Sequence, residues 1–159
     1  MKGIRAIALD VDGVLTDGGV WWGPDGQEWK RFSYADIMGV SLGRKAGLVF
    51  ALISGEDSPL VDRFASKLGI AYVEKSCKDK CLALRHFSEG IGLQLSAVCF
   101  MGDDVNDLGA MQSAGLAAVP ANAHPVVKQA AAFVATRAGG HGAVRELIDA
   151  VLTARAAES

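Results

Sequence analysis

The chain has 159 residues, of which 50% are hydrophobic and 21% are charged, a composition that suits one domain with a sizeable core and excludes a disordered chain. The formal net charge is −2 and there is no basic stripe, which argues against a nucleic-acid partner. The longest apolar stretches are about as long as a strand, so we expect no segment that spans a membrane.

Strand-length apolar runs alternate with helical segments along the chain. The runs that predict strands are residues 4–9, 48–53, 71–73, 97–101, 116–119 and 133–135. The segments that predict helices are residues 36–46, 58–68, 79–90, 104–114, 124–131 and 142–155, and residues 154–159 are expected to fray. This alternation is typical of the α/β class, and it predicts a doubly wound, Rossmann-like parallel sheet in a single domain over residues 1–159.

Residues 18–32 break the alternation. Residues 20–22 (Val-Trp-Trp) and 28–32 (Glu-Trp-Lys-Arg-Phe) are short β-prone runs on either side of a Gly-Pro-Asp-Gly turn, which predicts an inserted β-hairpin flap. The two tryptophan-bearing arms are too apolar for a free flap. We expect them either to cover an active site or to pack against another subunit, and subunit packing is the favoured interpretation for the tryptophans.

Two features of the sequence favour a cytoplasmic protein. Residues 1–13 contain one short apolar run that ends in carboxylates, and they lack the longer apolar core and the cleavage site of a signal peptide. The cysteines Cys77, Cys81 and Cys99 are odd in number and are expected to stay reduced, although Cys77 and Cys81 could also form half of a metal site.

Polar side chains follow four of the predicted strands. Asp10 and Asp12 follow the first strand, Ser54 follows the second, and Lys80 opens the helix after the third. The fourth strand ends in an acidic cluster made of Asp103, Asp104 and Asp107, with Asn106 among them. Because ligands bind beyond the carboxyl ends of parallel strands, we expect these groups to face one crevice.

This set of side chains predicts a metal-dependent phosphoryl-transfer site. Clustered carboxylates repel one another and stay ionised together only beside a cation, and hard oxygen ligands suit Mg²⁺. Mg²⁺ attracts a phosphoryl group, whose remaining oxygens need Lys80, the Ser54 hydroxyl and backbone N–H groups near Gly13 and Gly55. One carboxylate then acts as the nucleophile, and a second one two residues further on protonates the leaving oxygen and activates water.

At these positions the sequence resembles the haloacid dehalogenase superfamily of phosphatases. Residues 10–16 (Asp-Val-Asp-Gly-Val-Leu-Thr) resemble its first motif, Ser54 the second, Lys80 the third, and residues 102–107 (Gly-Asp-Asp-Val-Asn-Asp) the fourth. The four motifs occur in the right order, each at a predicted strand end or helix start. The resemblance implies the haloacid dehalogenase fold and covalent catalysis through an aspartyl phosphate.

The resemblance also assigns roles. Asp10 is expected to be the nucleophile and Asp12 the general acid/base, while Lys80 orients Asp10 and balances its charge. Ser54, with Gly55, is expected to bind the phosphoryl group.

For the metal, the resemblance implies Mg²⁺ held by Asp10, Asp103 and the backbone carbonyl of Asp12. Asp104 and Asp107 are the candidates for an outer shell around the ion.

The likeness covers nearly the whole chain and narrows to the capless 2-keto-3-deoxy sugar-acid phosphatases. The chain has a hairpin where other members of the superfamily carry a cap domain, and residues 26–32, 121–125 and 139–146 resemble this group. The group includes the KDO 8-phosphate phosphatases of lipopolysaccharide synthesis and enzymes that act on nine-carbon KDN or acylneuraminate 9-phosphates. Its members are tetramers whose hairpins assemble centrally, so we expect a homotetramer with shared active sites.

Two positions depart from the KDO 8-phosphate phosphatases. Those enzymes usually read Ser-Gly-Arg after the second strand, whereas this chain has Glu56, and they usually have aspartate where this chain has Asn122. Glu56 together with Lys67 resembles the KDN 9-phosphate branch, and so do residues 28–32 (Glu-Trp-Lys-Arg-Phe). We therefore expect KDN 9-phosphate or an acylneuraminate 9-phosphate as the substrate, bound in part by Glu56 and Lys67, with KDO 8-phosphate as the alternative.

Two other classes of protein share part of this pattern. A signalling receiver domain also combines Mg²⁺, a phospho-accepting aspartate, a hydroxyl and a lysine, but its acceptor aspartate follows a later strand, where this chain has Ser54. An inactive phosphosugar-binding protein would have lost a charged catalytic residue, and every such role is filled here. The sequence therefore favours an enzyme.

Overall fold

The computed structural model describes residues 1–157, and they contain a six-stranded sheet in which every neighbouring pair of strands is parallel. Its strands are β1 (Ala6–Leu9), β4 (Val49–Ile53), β5 (Tyr72–Glu74), β6 (Val98–Met101), β7 (Leu116–Val119) and β8 (Phe133–Val134). They lie in the order β5-β4-β1-β6-β7-β8, so the chain winds outward from β1 in both directions. This is the doubly wound sheet that the alternating pattern predicts.

Helices cover both faces of the sheet. They are α1 (Tyr34–Lys45), α2 (Pro59–Leu68), α3 (Lys80–Gly90), α4 (Leu108–Ser113), α5 (Pro125–Ala130) and α6 (Ala143–Ala156). The side chains of α1, α2 and α6 share one hydrophobic cluster with Ile7 and Leu9, and those of α3, α4 and α5 share the other with Ala6 and Ala8. Alternate residues of β1 thus face opposite layers, and all four are buried.

The observed helices begin and end within two residues of their predicted bounds, apart from the helix predicted over residues 104–114. The helix predicted over residues 104–114 is a 3₁₀ turn (Val105–Asp107) followed by α4, because the side chains of Asp104 and Asp107 cap that turn reciprocally. The last helix continues to Ala156, so fraying does not begin at residue 154, and residues 158–159 lie outside the described part. None of the helices within residues 1–157 is long and apolar enough to cross a bilayer.

The predicted hairpin is present as β2 (Trp21–Trp22) and β3 (Glu28–Trp29), which pair antiparallel. Each strand has two residues, so the backbone ladder is short and side-chain contacts have to hold the hairpin on the domain. The Glu28 carboxylate accepts a hydrogen bond from the serine hydroxyl that caps α2, at 3.1 Å. Phe32 stacks on Phe64 of α2, with 4.8 Å between the ring centroids.

A buried carboxylate joins the first helix to the last. Asp36 in α1 is fully buried, and its oxygens accept hydrogen bonds from the backbone N–H groups of Gly142 at 3.2 Å and Arg145 at 2.9 Å. Gly142 precedes α6 and has no side chain with which to cap it, so Asp36 supplies the missing cap. Burial raises the pKa of Asp36 although these backbone donors lower it.

We predict that Asp36→Ala lowers the free energy of unfolding by about 1–3 kcal/mol, because buried N–H groups lose their acceptor. Urea unfolding measures the change. Asp149→Ala is the matched control, because it removes only an exposed pair with Arg145 of the same helix, worth about 0.5 kcal/mol or less. Equal losses in the two variants would contradict the capping role.

Candidate active site

The carboxyl ends of β1, β4 and β6 meet at one edge of the sheet. Asp10 follows β1, Ser54 follows β4, Asp103 comes two residues after β6, and Lys80 is the first residue of α3. A cleft of about 230 Å³ opens at this edge, and its lining includes Asp10, Asp12, Glu56, Lys80, Asp103 and Asp104. Asp10, Lys80 and Asp103 therefore face one crevice, as the parallel sheet requires. Ser54 is 1% exposed and is not among the lining residues, which include its neighbours Gly55 and Glu56.

Lys80 links two of the acidic groups. Its Nζ lies 2.8 Å from Asp10 Oδ2 and 2.7 Å from Asp107 Oδ1, and all three residues are buried. Burial lowers the pKa of Lys80, but Asp10 and Asp107 together raise it by more than burial lowers it. The pKa of Lys80 is therefore above its usual value, and the ammonium stays charged. A single cation thus sits between two buried carboxylates.

The second oxygen of Asp107 holds the loop after β6. It accepts hydrogen bonds from the backbone N–H groups of Asp103 at 2.8 Å and Asp104 at 3.2 Å. A Cβ at Gly102 would lie 2.5 Å from the carboxyl carbon of Asp107, so only glycine allows this approach. Asp107 is therefore a fully buried residue that positions Asp103, while Asp104 lines the cleft.

Three carboxylates are close enough to bind one ion. One oxygen each of Asp10, Asp103 and Asp107 lies within 4.8 Å of the other two. Burial raises the pKa of Asp10 to about 7 against the lowering effect of Lys80, and burial with the neighbouring carboxylates raises the pKa of Asp103 to about 6. One lysine does not balance this negative charge, and a divalent cation with oxygen ligands fits the donor set.

Asp12 contacts a lysine that the sequence interpretation did not assign to the site. The Nζ of Lys30 lies 2.8 Å from Asp12 Oδ1 and 3.4 Å from Glu28 Oε1, and its side chain is 4% exposed against 31% for Asp12. The hairpin therefore reaches the site through Lys30. A signal was available, because Glu28, Lys30 and Phe32 are spaced two apart and share one face of an extended arm.

The loop that follows β1 is held from the far end of the chain. Asn122 Nδ2 donates to the carbonyl of Gly13 at 3.1 Å, and Asn122 Oδ1 accepts from the N–H of Gly139 at 2.6 Å. A Cβ at Gly13 would lie 1.9 Å from Asp103 Oδ2, and one at Gly139 would lie 1.9 Å from the Gly13 oxygen. The amide of Asn122 supplies one donor and one acceptor, which is what these two backbone groups need.

Ser54, Gly55 and Glu56 form the turn that follows β4. Ser54 is 1% exposed, and its Oγ accepts a hydrogen bond from the backbone N–H of Glu56 at 3.2 Å. Accepting this bond leaves the hydroxyl hydrogen available to a phosphoryl oxygen. Gly55 and Glu56 line the cleft, where Glu56 is exposed at the rim.

Lys67 belongs to a different cleft. It borders a cavity of about 260 Å³ together with Lys30, Arg63 and aromatic side chains of the hairpin arm and α2. It is not among the residues that line the first cleft. Of the residues around the second cavity, Lys30 is the one that also contacts Asp12.

Phosphoryl transfer is the chemistry that this edge of the sheet supports, because a lysine-paired carboxylate and a second acid two residues away face the same cleft. A model of the haloacid dehalogenase-like hydrolase family matches residues 43–147, and the chain belongs to this family. It is 35% identical over 154 residues to the 3-deoxy-D-manno-octulosonate (KDO) 8-phosphate phosphatase KdsC of Escherichia coli, an alignment that covers 97% of this chain and 82% of the relative.

Solved structures of similar proteins share the fold. The KDO 8-phosphate phosphatase of Moraxella catarrhalis, in complex with a magnesium ion, a phosphate ion and KDO, has a TM-score of 0.95 and 35% identity over 98% of this chain and 89% of that chain. A cobalt-bound KDO 8-phosphate phosphatase of Haemophilus influenzae has a TM-score of 0.94 and 33% identity over 98% and 91% of the two chains.

These relatives confirm the predictions of the haloacid dehalogenase fold and of a phosphoric monoester hydrolase. They do not support the nine-carbon substrate that Glu56 and Lys67 suggested. The relatives are named for KDO 8-phosphate, which was the alternative.

We predict that the metal-free protein becomes less stable as the pH rises. The pKa values of Asp10 and Asp103, about 7 and about 6 in the folded chain, lie above the value of about 4 expected after unfolding. The folded state therefore binds more protons than the unfolded state in this range, and the free energy of unfolding falls between about pH 5 and about pH 8.

Thermal unfolding in a chelator across that range measures the effect, and excess Mg²⁺ should restore stability most at the alkaline end, where the carboxylates are ionised. Asp10→Asn is the control, because it removes the larger of the two shifts and should flatten the profile. A metal-free protein that gains stability up to about pH 8 would contradict this account.

Proposed function

We propose that this protein is a magnesium-dependent phosphatase that hydrolyses KDO 8-phosphate through an aspartyl-phosphate intermediate. The observation that carries the proposal is the 35% identity over 97% of the chain to an enzyme named for this reaction. The geometry of the cleft agrees with the chemistry, because the groups that phosphate-ester hydrolysis requires lie together at the strand ends. We also propose the cytoplasm as its location.

In the proposed mechanism the Asp10 carboxylate attacks phosphorus and the ester P–O bond breaks. Asp12 donates its proton to the leaving sugar oxygen. Asp12 then takes a proton from water as that water attacks the aspartyl phosphate, which releases inorganic phosphate and restores both carboxyl groups. Lys80, 2.8 Å from Asp10, fixes the orientation of the nucleophile. The Ser54 hydroxyl and the backbone around Gly55 bind phosphoryl oxygens.

Asp10 and Asp103 would hold Mg²⁺ together with the backbone carbonyl of Asp12, and Asp107 and Asp104 would support them from behind. Oxygens of Asp10 and Asp103 lie within 4.8 Å of each other, which supports their assignment as ligands. Asp107 is in the same group, but its oxygens already accept hydrogen bonds from Lys80 and from the backbone N–H groups of Asp103 and Asp104. When bound, the ion supplies positive charge that neutralises the carboxylates and draws the phosphoryl group into the cleft.

A nine-carbon sugar-acid 9-phosphate is a second candidate, because Glu56 stands at the rim of the cleft. An anion there repels a substrate carboxylate that lies near the phosphate, and it accepts hydrogen bonds from sugar hydroxyls. A longer sugar would carry its carboxylate further from Glu56, toward a cation of the second cleft such as Lys67.

We predict that kcat/KM for KDO 8-phosphate exceeds that for KDN 9-phosphate and N-acetylneuraminate 9-phosphate by about tenfold or more. A phosphate-release assay with Mg²⁺ measures the three values. Asp10→Asn serves as the control, because an amide is a poor nucleophile and its activity should fall by about three orders of magnitude or more on every substrate. A reversed ranking would favour the nine-carbon substrate, and unchanged turnover by Asp10→Asn would refute the covalent mechanism.

We further propose that the protein assembles as a homotetramer through the hairpin. Trp21 and Trp22 are each 75% exposed and Trp29 is 50% exposed, so the hairpin presents an apolar surface that a soluble monomer rarely carries. Closed symmetric assembly would bury this surface and bring a neighbouring subunit to the open cleft.

Light scattering should give a mass of about four subunits for the wild type. Trp21→Glu should dissociate the assembly, because it places a charge on the buried surface without removing the Trp22–Glu28 hydrogen bond. Val126→Glu is the matched control, because Val126 is an exposed apolar residue of α5 and its substitution should leave the mass unchanged. A monomeric wild type at assay concentration would refute the assembly.

A further inference from the structure

The side chain of Lys30 is almost completely buried, which is unusual for a lysine. Its side chain is 4% exposed, although lysines are seldom buried unless they are paired. Its Nζ lies 2.8 Å from Asp12 Oδ1, and its stem borders an apolar cleft with Phe32, Leu60 and Phe64. The apolar walls and the two carboxylates confine the ammonium to one place.

We propose that Lys30 is a positioning residue for Asp12: its ammonium holds Oδ1 and thereby reserves Oδ2 as the oxygen that exchanges the catalytic proton. The proposal rests on the phosphatase function proposed above. It goes beyond that function because the lysine comes from the hairpin and not from the strand ends that carry the rest of the site.

The hydrogen-bonding capacity of the two groups leads to this role. An ammonium group only donates hydrogen bonds, and a carbonyl-type oxygen accepts them better than a hydroxyl oxygen does, so contact with Lys30 favours the unprotonated state of Asp12 Oδ1. The carboxyl proton of Asp12 therefore resides on Oδ2. As the ester P–O bond breaks, that proton passes to the leaving oxygen, and Oδ2 later takes a proton from the attacking water. Lys30 keeps its own protons throughout.

The surroundings of Lys30 fix it independently of Asp12. Glu28 Oε1 lies 3.4 Å from Nζ, and Glu28 itself accepts hydrogen bonds from Trp22 Nε1 and Ser58 Oγ, both at 3.1 Å. The lysine therefore approaches Asp12 from a network that is anchored on the hairpin and on the start of α2. Burial lowers the pKa of Lys30, but Asp12 and Glu28 raise it more, so it remains a cation.

A purely structural role is the competing explanation, in which Lys30 only fastens the hairpin to the domain. The two roles differ in their dependence on the leaving group. An ester with an acidic leaving group, such as 4-nitrophenyl phosphate, departs without a proton, whereas phenyl phosphate and a primary alkyl phosphate need one from Asp12. A misplaced Asp12 therefore slows only the second kind of substrate, while a distorted site slows all of them.

The experiment measures kcat/KM with Mg²⁺ for these three esters, because kcat/KM reports the steps up to the first phosphoryl transfer. In Lys30→Met we expect kcat/KM to fall by about 10- to 100-fold for the alkyl ester and by less than about threefold for 4-nitrophenyl phosphate. Lys30→Arg, which keeps a charged donor, should retain part of the kcat/KM for the alkyl ester that Lys30→Met loses. Should Lys30→Met not fold, Lys30→Gln gives the same comparison.

Arg31→Met is the matched control. Arg31 anchors the same hairpin arm by donating to the Gly140 carbonyl at 2.9 Å, without contact with Asp12. It should therefore leave the ranking of the three esters unchanged. The positioning role is overturned if Lys30→Met slows all three esters by the same factor, or if Arg31→Met causes the same selective loss. A wild type that hydrolyses none of the esters would instead refute the proposed phosphatase function, and this role with it.

Discussion

The ammonium of Lys80 is the interaction on which the rest of the site depends. It stands between Asp10, which follows the central strand, and Asp107, which follows the neighbouring strand, and all three are buried. Removing one partner of a buried ion pair typically costs about 3–5 kcal/mol, because the remaining charge loses its compensation. Asp107 in turn positions Asp103, because its other oxygen accepts a hydrogen bond from the backbone N–H of Asp103. One lysine thus sets the relative positions of the groups that come from β1, α3 and β6.

Close backbone packing is the second constraint, and it links the first loop of the site to the last. The backbone of Gly13 lies against the side chain of Asp103, and the backbone of Gly139 lies against the carbonyl of Gly13. A Cβ at either glycine would collide with its neighbour. Asn122 then bridges Gly13 and Gly139 with one donated and one accepted hydrogen bond. The glycines near residue 140 are therefore required by the shape of the loop that carries Asp12, although they lie far from it in sequence.

The sheet and the strand-end residues could be predicted because each depends on a local signal. Buried apolar runs predict strands, and the first polar residues after such runs must lie at one edge of a parallel sheet. The partners of those residues carry no local signal. Asn122 meets Gly13, and Asp36 meets Arg145, across 109 residues of sequence, and such pairs follow only from the paths of the loops. Lys30 is an intermediate case: its spacing from Glu28 and Phe32 is a local signal for the face it occupies, but its contact with Asp12 depends on how the hairpin folds back over α2.

The reaction was easier to infer than the substrate for a related physical reason. The groups that act on phosphate are placed by the sheet, whose spacing permits little variation once the strands are paired. The groups around the two clefts come from elements that the sheet does not constrain. Glu56 lies on a turn, Lys67 lies on α2 beside the second cleft, and Lys30 lies on the arm of a hairpin whose strands have two residues each. A sugar carboxylate or hydroxyl would be met by this less constrained layer. Selectivity can therefore change through a few residues of the rim while the Asp10–Lys80–Asp107 chain stays as it is.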